Sequence, residues 1–188
     1  PTFTSTATPT VTNTPTVTQT FTATATPTVT ETLTPSQTPT PTQTPISVLI
    51  DLDENVALAG QTVNVRAFIN TSLLGADVAG TGNDITFDNT IFSINPASCF
   101  PNPSLGKLLS AGIVNVSGTQ STLRVFVQGP PLNNDPIPDG LLYTCPFNVL
   151  PGAPPGNYAL TSSNEIAQDP DAVPVNPVAG EDGLVTVQ

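Results

Sequence analysis

The sequence predicts an all-β chain: a two-sheet sandwich or jelly roll over residues 46–188, preceded by an extended Thr/Pro-rich tail over residues 1–45. Three observations carry this reading. After Pro45, strand-length runs of Ile, Val and Leu recur between Gly, Asn, Asp and Pro, and no long window shows helical spacing. Many short strands without helices must bury their apolar faces sheet on sheet. Before residue 46, every even position from Thr2 to Thr44 is threonine, Ser36 excepted. A period of two suits an extended chain, in which residues i and i+2 share a face.

The tail comes first in the chain. Its odd positions repeat at a longer spacing, TFTSTATPT from Thr2 and TFTATATPT from Thr20, so that Phe3 maps to Phe21 and Pro9 to Pro27. All its prolines are at odd positions, and in a strand odd and even backbone groups point to opposite edges. One edge therefore loses N–H donors while the threonine edge keeps them and can pair with another sheet. The longest proline-free run, Thr16 to Thr26, is the candidate docking segment, with Val17, Phe21, Ala23 and Ala25 on one face. Composition supports a second reading, an O-glycosylated stalk between a surface and a module. Its candidate glycan acceptors, each beside a proline, are Thr8, Thr10, Thr14, Thr16, Thr26, Thr28, Thr38, Thr40, Thr42 and Thr44. Fully extended at about 3.3 Å per residue, the tail would reach on the order of 150 Å.

Residues 46–188 are long enough for one hydrophobic core. Strands are expected at Ile46 to Leu52, Thr62 to Ile69, Ile85 to Phe87, Ile91 to Ile94, Ile113 to Val116, Leu123 to Val127, Leu141 to Leu150, Tyr158 to Leu160 and Leu184 to Val187. Ala59-Gly60, Pro151-Gly152 and Asp182-Gly183 read as turns between them.

Composition narrows the chemistry. The net charge is −11, the basic side chains number three (Arg66, Lys107 and Arg124), and there is no His, Trp or Met. Histidine-dependent catalysis is excluded, and nucleic acid or an anionic membrane would need clustered Lys and Arg. No apolar run approaches the roughly 20 residues of a transmembrane helix, so no membrane insertion is expected in this segment. A chain that starts at Pro1 is expected to have lost a signal peptide or to begin inside a longer protein. Cys99 and Cys145 read as one disulfide in a chain of export character, with two buried free thiols as the alternative.

Carboxylates cluster at Asp51, Asp53 and Glu54, flank a strand at Asp84 and Asp88, and recur at Asp169 and Asp171. Solvated surface acids are the leading reading. DLDEN opens like a calcium loop but lacks the glycine and distal glutamate of an EF-hand, so no cofactor is expected, with Ca2+ held by loop carboxylates as the alternative. A glycosidase pair lacks an aromatic cleft to serve. Asn70-Thr71-Ser72 and Asn115-Val116-Ser117 are N-glycosylation sequons.

The order of motifs resembles the cohesin family, jelly-roll modules of about nine strands from bacterial extracellular proteins. The matching pieces are Gly60 with Val63 and Val65, Phe87-Asp88 with Ile91-Phe92, Asp139-Gly140, and Ala153 to Tyr158. They cover most of residues 46–188 and none of the tail. The resemblance implies a non-enzymatic, secreted or cell-surface module, because cohesins bind dockerins of cellulosomes through one sheet face. Combined with the tail, it gives two expectations. The first is a structural subunit of an extracellular fibre whose partners are covalent glycans and other copies of itself, joined through the tail. The second is a cohesin-like binding module for a dockerin or glycan on a glycosylated stalk.

Overall fold

The computed structural model describes residues 47–71, 75–129 and 134–188. The tail lies outside the described residues, and with it the docking segment Val17, Phe21, Ala23 and Ala25 and the candidate O-glycan threonines. In chain order the strands are β1 (Val48–Leu52), β2 (Glu54–Ala57), β3 (Thr62–Asn70), β4 (Gly80–Asp88), β5 (Phe92–Ile94), β6 (Phe100–Pro101), β7 (Leu108–Ser117), β8 (Gln120–Gln128), β9 (Gly140–Val149), β10 (Gly156–Gln168), β11 (Val178–Glu181) and β12 (Gly183–Val187). They form two sheets, one ordered β11-β1-β3-β9-β5 with β6 also on β9, the other β2-β12-β10-β4-β8-β7. This is the all-β sandwich that the spacing of apolar runs predicts.

Alternation sets which residues enter the core. In β3, Val63, Val65, Ala67 and Ile69 are buried, and in β8 Ser121, Leu123, Val125 and Val127 are. The interior is closed at one end by aromatic rings meeting edge to face, Phe87 with Phe147 at 5.1 Å, Phe147 with Phe92 at 6.3 Å and Phe92 with Tyr158 at 5.9 Å. These rings come from both sheets, so they tie the layers together.

The terminal strands change sheets. β1 pairs in parallel with β11, and beyond Asp53 the chain continues as β2, which pairs in parallel with β12 in the other sheet. Asp53 Oδ1 accepts from the Arg66 backbone N–H at 2.8 Å and from Asn55 Nδ2 at 2.6 Å, and its Oδ2 accepts from Arg66 Nε at 2.7 Å. Asp182 plays the matching part, its Oδ1 accepting from the Ser162 N–H at 2.8 Å. Asp182-Gly183, read from sequence as a turn, is therefore the place where the last strand crosses between sheets. The carboxylates replace ladder partners that the crossing backbone gives up.

Strands β2, β6 and β11 were not expected, and β7 and β10 run further than their apolar centres suggested. The reason is composition: ENVA and VAGE are short and acidic, and the C-terminal half of β10 is polar because much of it faces solvent.

One consequence follows at the parallel β1/β11 pair, where Asp51 and Glu181 are direct neighbours. Burial raises the Asp51 carboxyl above its usual range, with Glu181, Asp53 and Glu54 adding to the effect. A raised acid contributes stability that is fully present below its unfolded value of about 3.9 and lost as pH rises through its folded value. Asp51→Asn is expected to stabilise the domain by about 0.5 kcal/mol at neutral pH and to lose that advantage in acid. Urea denaturation at the two pH values checks this, and a variant weaker than the parent at neutral pH would contradict it.

Candidate functional site

The two sheets differ in what they show to solvent. Val56, Leu108, Ile113, Val114, Val116 and Ile166 are exposed large apolar side chains, and all belong to the β2-β12-β10-β4-β8-β7 sheet. On the other sheet's strands the exposed large apolar side chain is Phe100, on the two-residue β6.

Register arranges the outer face of the β10-β4-β8 centre into rows. Gly82 of β4 lies between Phe126 of β8 and Ile166 of β10. A Cβ at Gly82 would strike the Phe126 ring and sit 2.9 Å from the Val125 carbonyl oxygen, so glycine is what lets the ring lie across the strand. Ile166, 46% exposed, flanks it on the far side. The next row is polar: Asp84 pairs in register with Arg124 and Ser163. Arg124 Nε and Nη2 each donate to the Asp84 carboxylate at 2.7 Å, and Asn164 Nδ2 donates to it at 2.9 Å. Thr86 and Thr122 hydroxyls meet at 3.1 Å in the row beyond. Asn83, Asp84, Arg124, Phe126, Asn164 and Ile166 line a shallow hollow of about 250 Å³. An apolar lip thus borders a fixed, charged hydrogen-bonding row.

The Asp84 side chain is 3% exposed and that of Arg124 41%. Reading Asp84 as a solvated surface acid fails for this reason. Hydrogen bonds from Arg124 hold the Asp84 carboxyl below the usual carboxylate range, opposed by burial and helped by Asn164. A lowered acid contributes stability that is present above its unfolded value of about 3.9 and lost as pH falls through its folded value. Thermal midpoints of the parent are therefore expected to fall more steeply below about pH 4 than those of Asp84→Asn, and parallel curves would contradict the assignment.

The other residues singled out from the sequence have structural settings. Cys99 and Cys145 form a disulfide. Asp88 Oδ1 accepts from the Thr90 N–H at 2.8 Å and its hydroxyl at 2.6 Å, closing a turn. Asp169 Oδ1 accepts from the Asp171 and Val173 N–H groups at 2.9 and 2.8 Å. Among the described residues no three His, Cys, Asp or Glu side chains converge as metal ligands, so the carboxylates proposed for Ca2+ are not brought together. Asn115 is exposed on β7, beside its register shift, whereas Asn70 is half-buried at the end of β3. All three basic side chains are engaged: Arg66 with Asp53, Arg124 with Asp84, and Lys107 Nζ with the Asp135 carbonyl oxygen at 2.7 Å.

Sequence reasoning singled out Asp84 without Arg124, Asn164, Phe126 or Ile166. Alternation in β8 marks Arg124 and Phe126 as outward, but only register across β4 joins them to Asp84.

No protein-family model matches the chain, and no curated protein does. Solved structures do. The domain is similar to the cohesin CaCohA2 of Clostridium acetobutylicum, in its complex with CaDoc0917, at 24% identity and a TM-score of 0.62 over 75% of this chain and 99% of that one. It is similar to a type I cohesin, OlpC, of Clostridium thermocellum in a cohesin–dockerin complex, at 14% identity and a TM-score of 0.61 over 78% and 97%. A non-cellulosomal cohesin of the archaeon Archaeoglobus fulgidus matches at 20% identity and a TM-score of 0.57 over 76% and 91%. These likenesses show the fold, and they bear out the cohesin-like jelly roll. They also correct the expectation that the partner is another copy of this chain: cohesins of this fold are recorded in complexes with dockerins. That expectation rested on the alternating tail, which fixes the edge an extended chain could offer but carries nothing about its recipient.

Proposed function

We propose, with the cohesin fold of this domain as premise, that residues 46–188 form a non-enzymatic binding module that captures a dockerin-type partner on the outer face of β10, β4, β8 and β7. The observation that carries this is the hollow where the Phe126–Gly82–Ile166 lip adjoins the fixed Asp84–Arg124–Asn164 row. Partner recognition in stable complexes centres on buried apolar or aromatic anchors next to oriented polar groups. Because every basic side chain is engaged internally and the net charge is −11, the field of the whole protein favours a partner that is not itself strongly anionic. Residues 1–45 belong, in this reading, to a secreted glycan-bearing stalk. Its acceptors are the threonines beside prolines. Similarity to a non-cellulosomal cohesin supports the binding module without requiring a cellulosome.

Calorimetry with purified dockerins, including those crystallised with CaCohA2 and OlpC, tests the assignment. An equimolar complex is expected, weakened about 100-fold, equivalent to about 2.7 kcal/mol, by Ile166→Asp and unaffected by Phe68→Asp on the opposite sheet. Absence of binding across the panel, or binding lost with Phe68→Asp and kept with Ile166→Asp, would overturn it. Intact-mass analysis of the secreted protein tests the stalk, for which hexose-like increments confined to residues 1–45 are the expected result.

A further inference from the structure

β10 carries a register shift against β4 between Ser163 and Ile166, which leaves Asn164 and Glu165 outside the paired register. Asn164, at φ 54°, turns outward and donates to Asp84. Asparagine tolerates that left-handed backbone better than most residues. Glu165 turns the other way, its Oε1 accepting from the Ser162 hydroxyl at 2.8 Å.

Behind Ser162 a chain of hydrogen bonds crosses the sandwich. Asn83 Nδ2 donates to Ser162 Oγ at 3.2 Å, and the Tyr143 hydroxyl, on β9 of the opposite sheet, donates to Asn83 Oδ1 at 2.7 Å. Burial raises the Tyr143 phenol above its usual range, the Asn83 bond opposes the shift, and the charge of Glu165 adds to it. Glu165 thus lies on the core side of β10. Gly180 of β11 makes the space: a Cβ there would overlap the Glu165 carboxylate and come within 2.7 Å of Ser162 Oγ. The bulge is held from inside by Glu165, Ser162, Asn83 and Tyr143, and Asn164, the residue before Glu165, reaches the outer face.

We infer that Glu165 is a positioning residue for the outer-face site: seated against Gly180 and bonded to Ser162, it locks the β10 bulge so that Asn164 is delivered to Asp84 and the Asp84–Arg124 row is presented in one geometry. The role rests on the proposed binding face for its functional meaning, but the lock itself is a property of the free domain. Bulges re-aim side chains and end regular pairing, and a site is only as well defined as the groups that support it. Here the support comes from the opposite sheet, through Gly180 and Tyr143.

The experiment follows the Asp84 carboxyl carbon by NMR against pH in the domain as it exists, with thermal melting of every variant. Arg124 and Asn164 are the groups that lower this carboxyl, so removing Asn164 raises its midpoint. Asn164→Ala calibrates the upward shift. Glu165→Ala is expected to give the same shift while remaining folded, and Glu165→Gln, which keeps an acceptor for Ser162, to restore the parental midpoint. Gly180→Ala acts from the other sheet without deleting a polar group, and is expected to shift Asp84 upward as well; it also serves if Glu165→Ala does not fold. A folded Glu165→Ala or Gly180→Ala whose Asp84 titrates as in the parent, while Asn164→Ala shifts, overturns the inference. Calorimetry with the dockerin panel is read separately: loss of affinity in the shifted variants but not in Glu165→Gln supports the positioning role. A panel that binds nowhere removes the binding assignment while the titration still decides the lock.

Discussion

Phe147→Ala is expected to be the most destabilising single truncation in the sandwich, at about 4 kcal/mol. Phe147 is fully buried on β9 and meets Phe87 of the opposite sheet and Phe92 of its own sheet edge to face, at interplanar angles of 86°. Removing the ring forfeits its transfer free energy, opens a cavity between two rigid sheets that cannot collapse onto it, and breaks aromatic contacts worth about 0.5–1.5 kcal/mol each. Phe126→Ala makes the instructive contrast. Its ring lies on the outer face across Gly82, so its loss is expected to cost less than about 1 kcal/mol of stability while reducing partner affinity. Urea denaturation separates the two, with a large fall in midpoint at an unchanged slope for Phe147→Ala. A loss below about 1.5 kcal/mol at Phe147 would mean that the neighbouring rings repack and that the aromatic group is not what joins the layers.

The same contrast shows how far the sequence could be read. Val63, Val65, Leu123 and Val125 follow the period of a strand with one covered face, and they lie in the core as that period requires. What alternation cannot supply is register. Arg124 and Asp84 are both outward-facing, but their meeting depends on β4 and β8 aligning Gly82 with Phe126 and not with a residue two positions away. Asn83 and Tyr143 break the apolar pattern from within, and each looks like an error in its own strand until the hydrogen bond between them is seen. Asp53 and Asp182 were legible as acids near strand ends. Their work at the crossings between sheets was not, because a strand that changes sheets keeps its local sequence pattern and changes only its neighbours.

Removing the disulfide is expected to cost about 4 kcal/mol in the loop-entropy account, comparable to the loss of the Phe147 ring. Cys99 and Cys145 are separated by 46 residues, and the loop they close includes β6, β7, β8, the whole connection to β9 and the first half of β9. Cross-linking it restricts the unfolded chain far more than it alters the folded one. In the folded state the bridge anchors a segment with little else to hold it: β6 is two residues long, paired to β9 at Thr144 and Tyr143, and Asn102 adds bonds to the carbonyls of Leu141 and Leu142 at 2.9 Å each. Two effects are therefore expected in Cys99→Ser/Cys145→Ser: a large fall in global stability, and faster amide exchange in residues 96–106 under native conditions. Denaturation with and without reductant measures the first, and hydrogen exchange the second. A double variant within about 1 kcal/mol of the oxidised parent would place the restraint in the native packing of residues 96–106 against β9, because the loop-entropy term alone exceeds that margin.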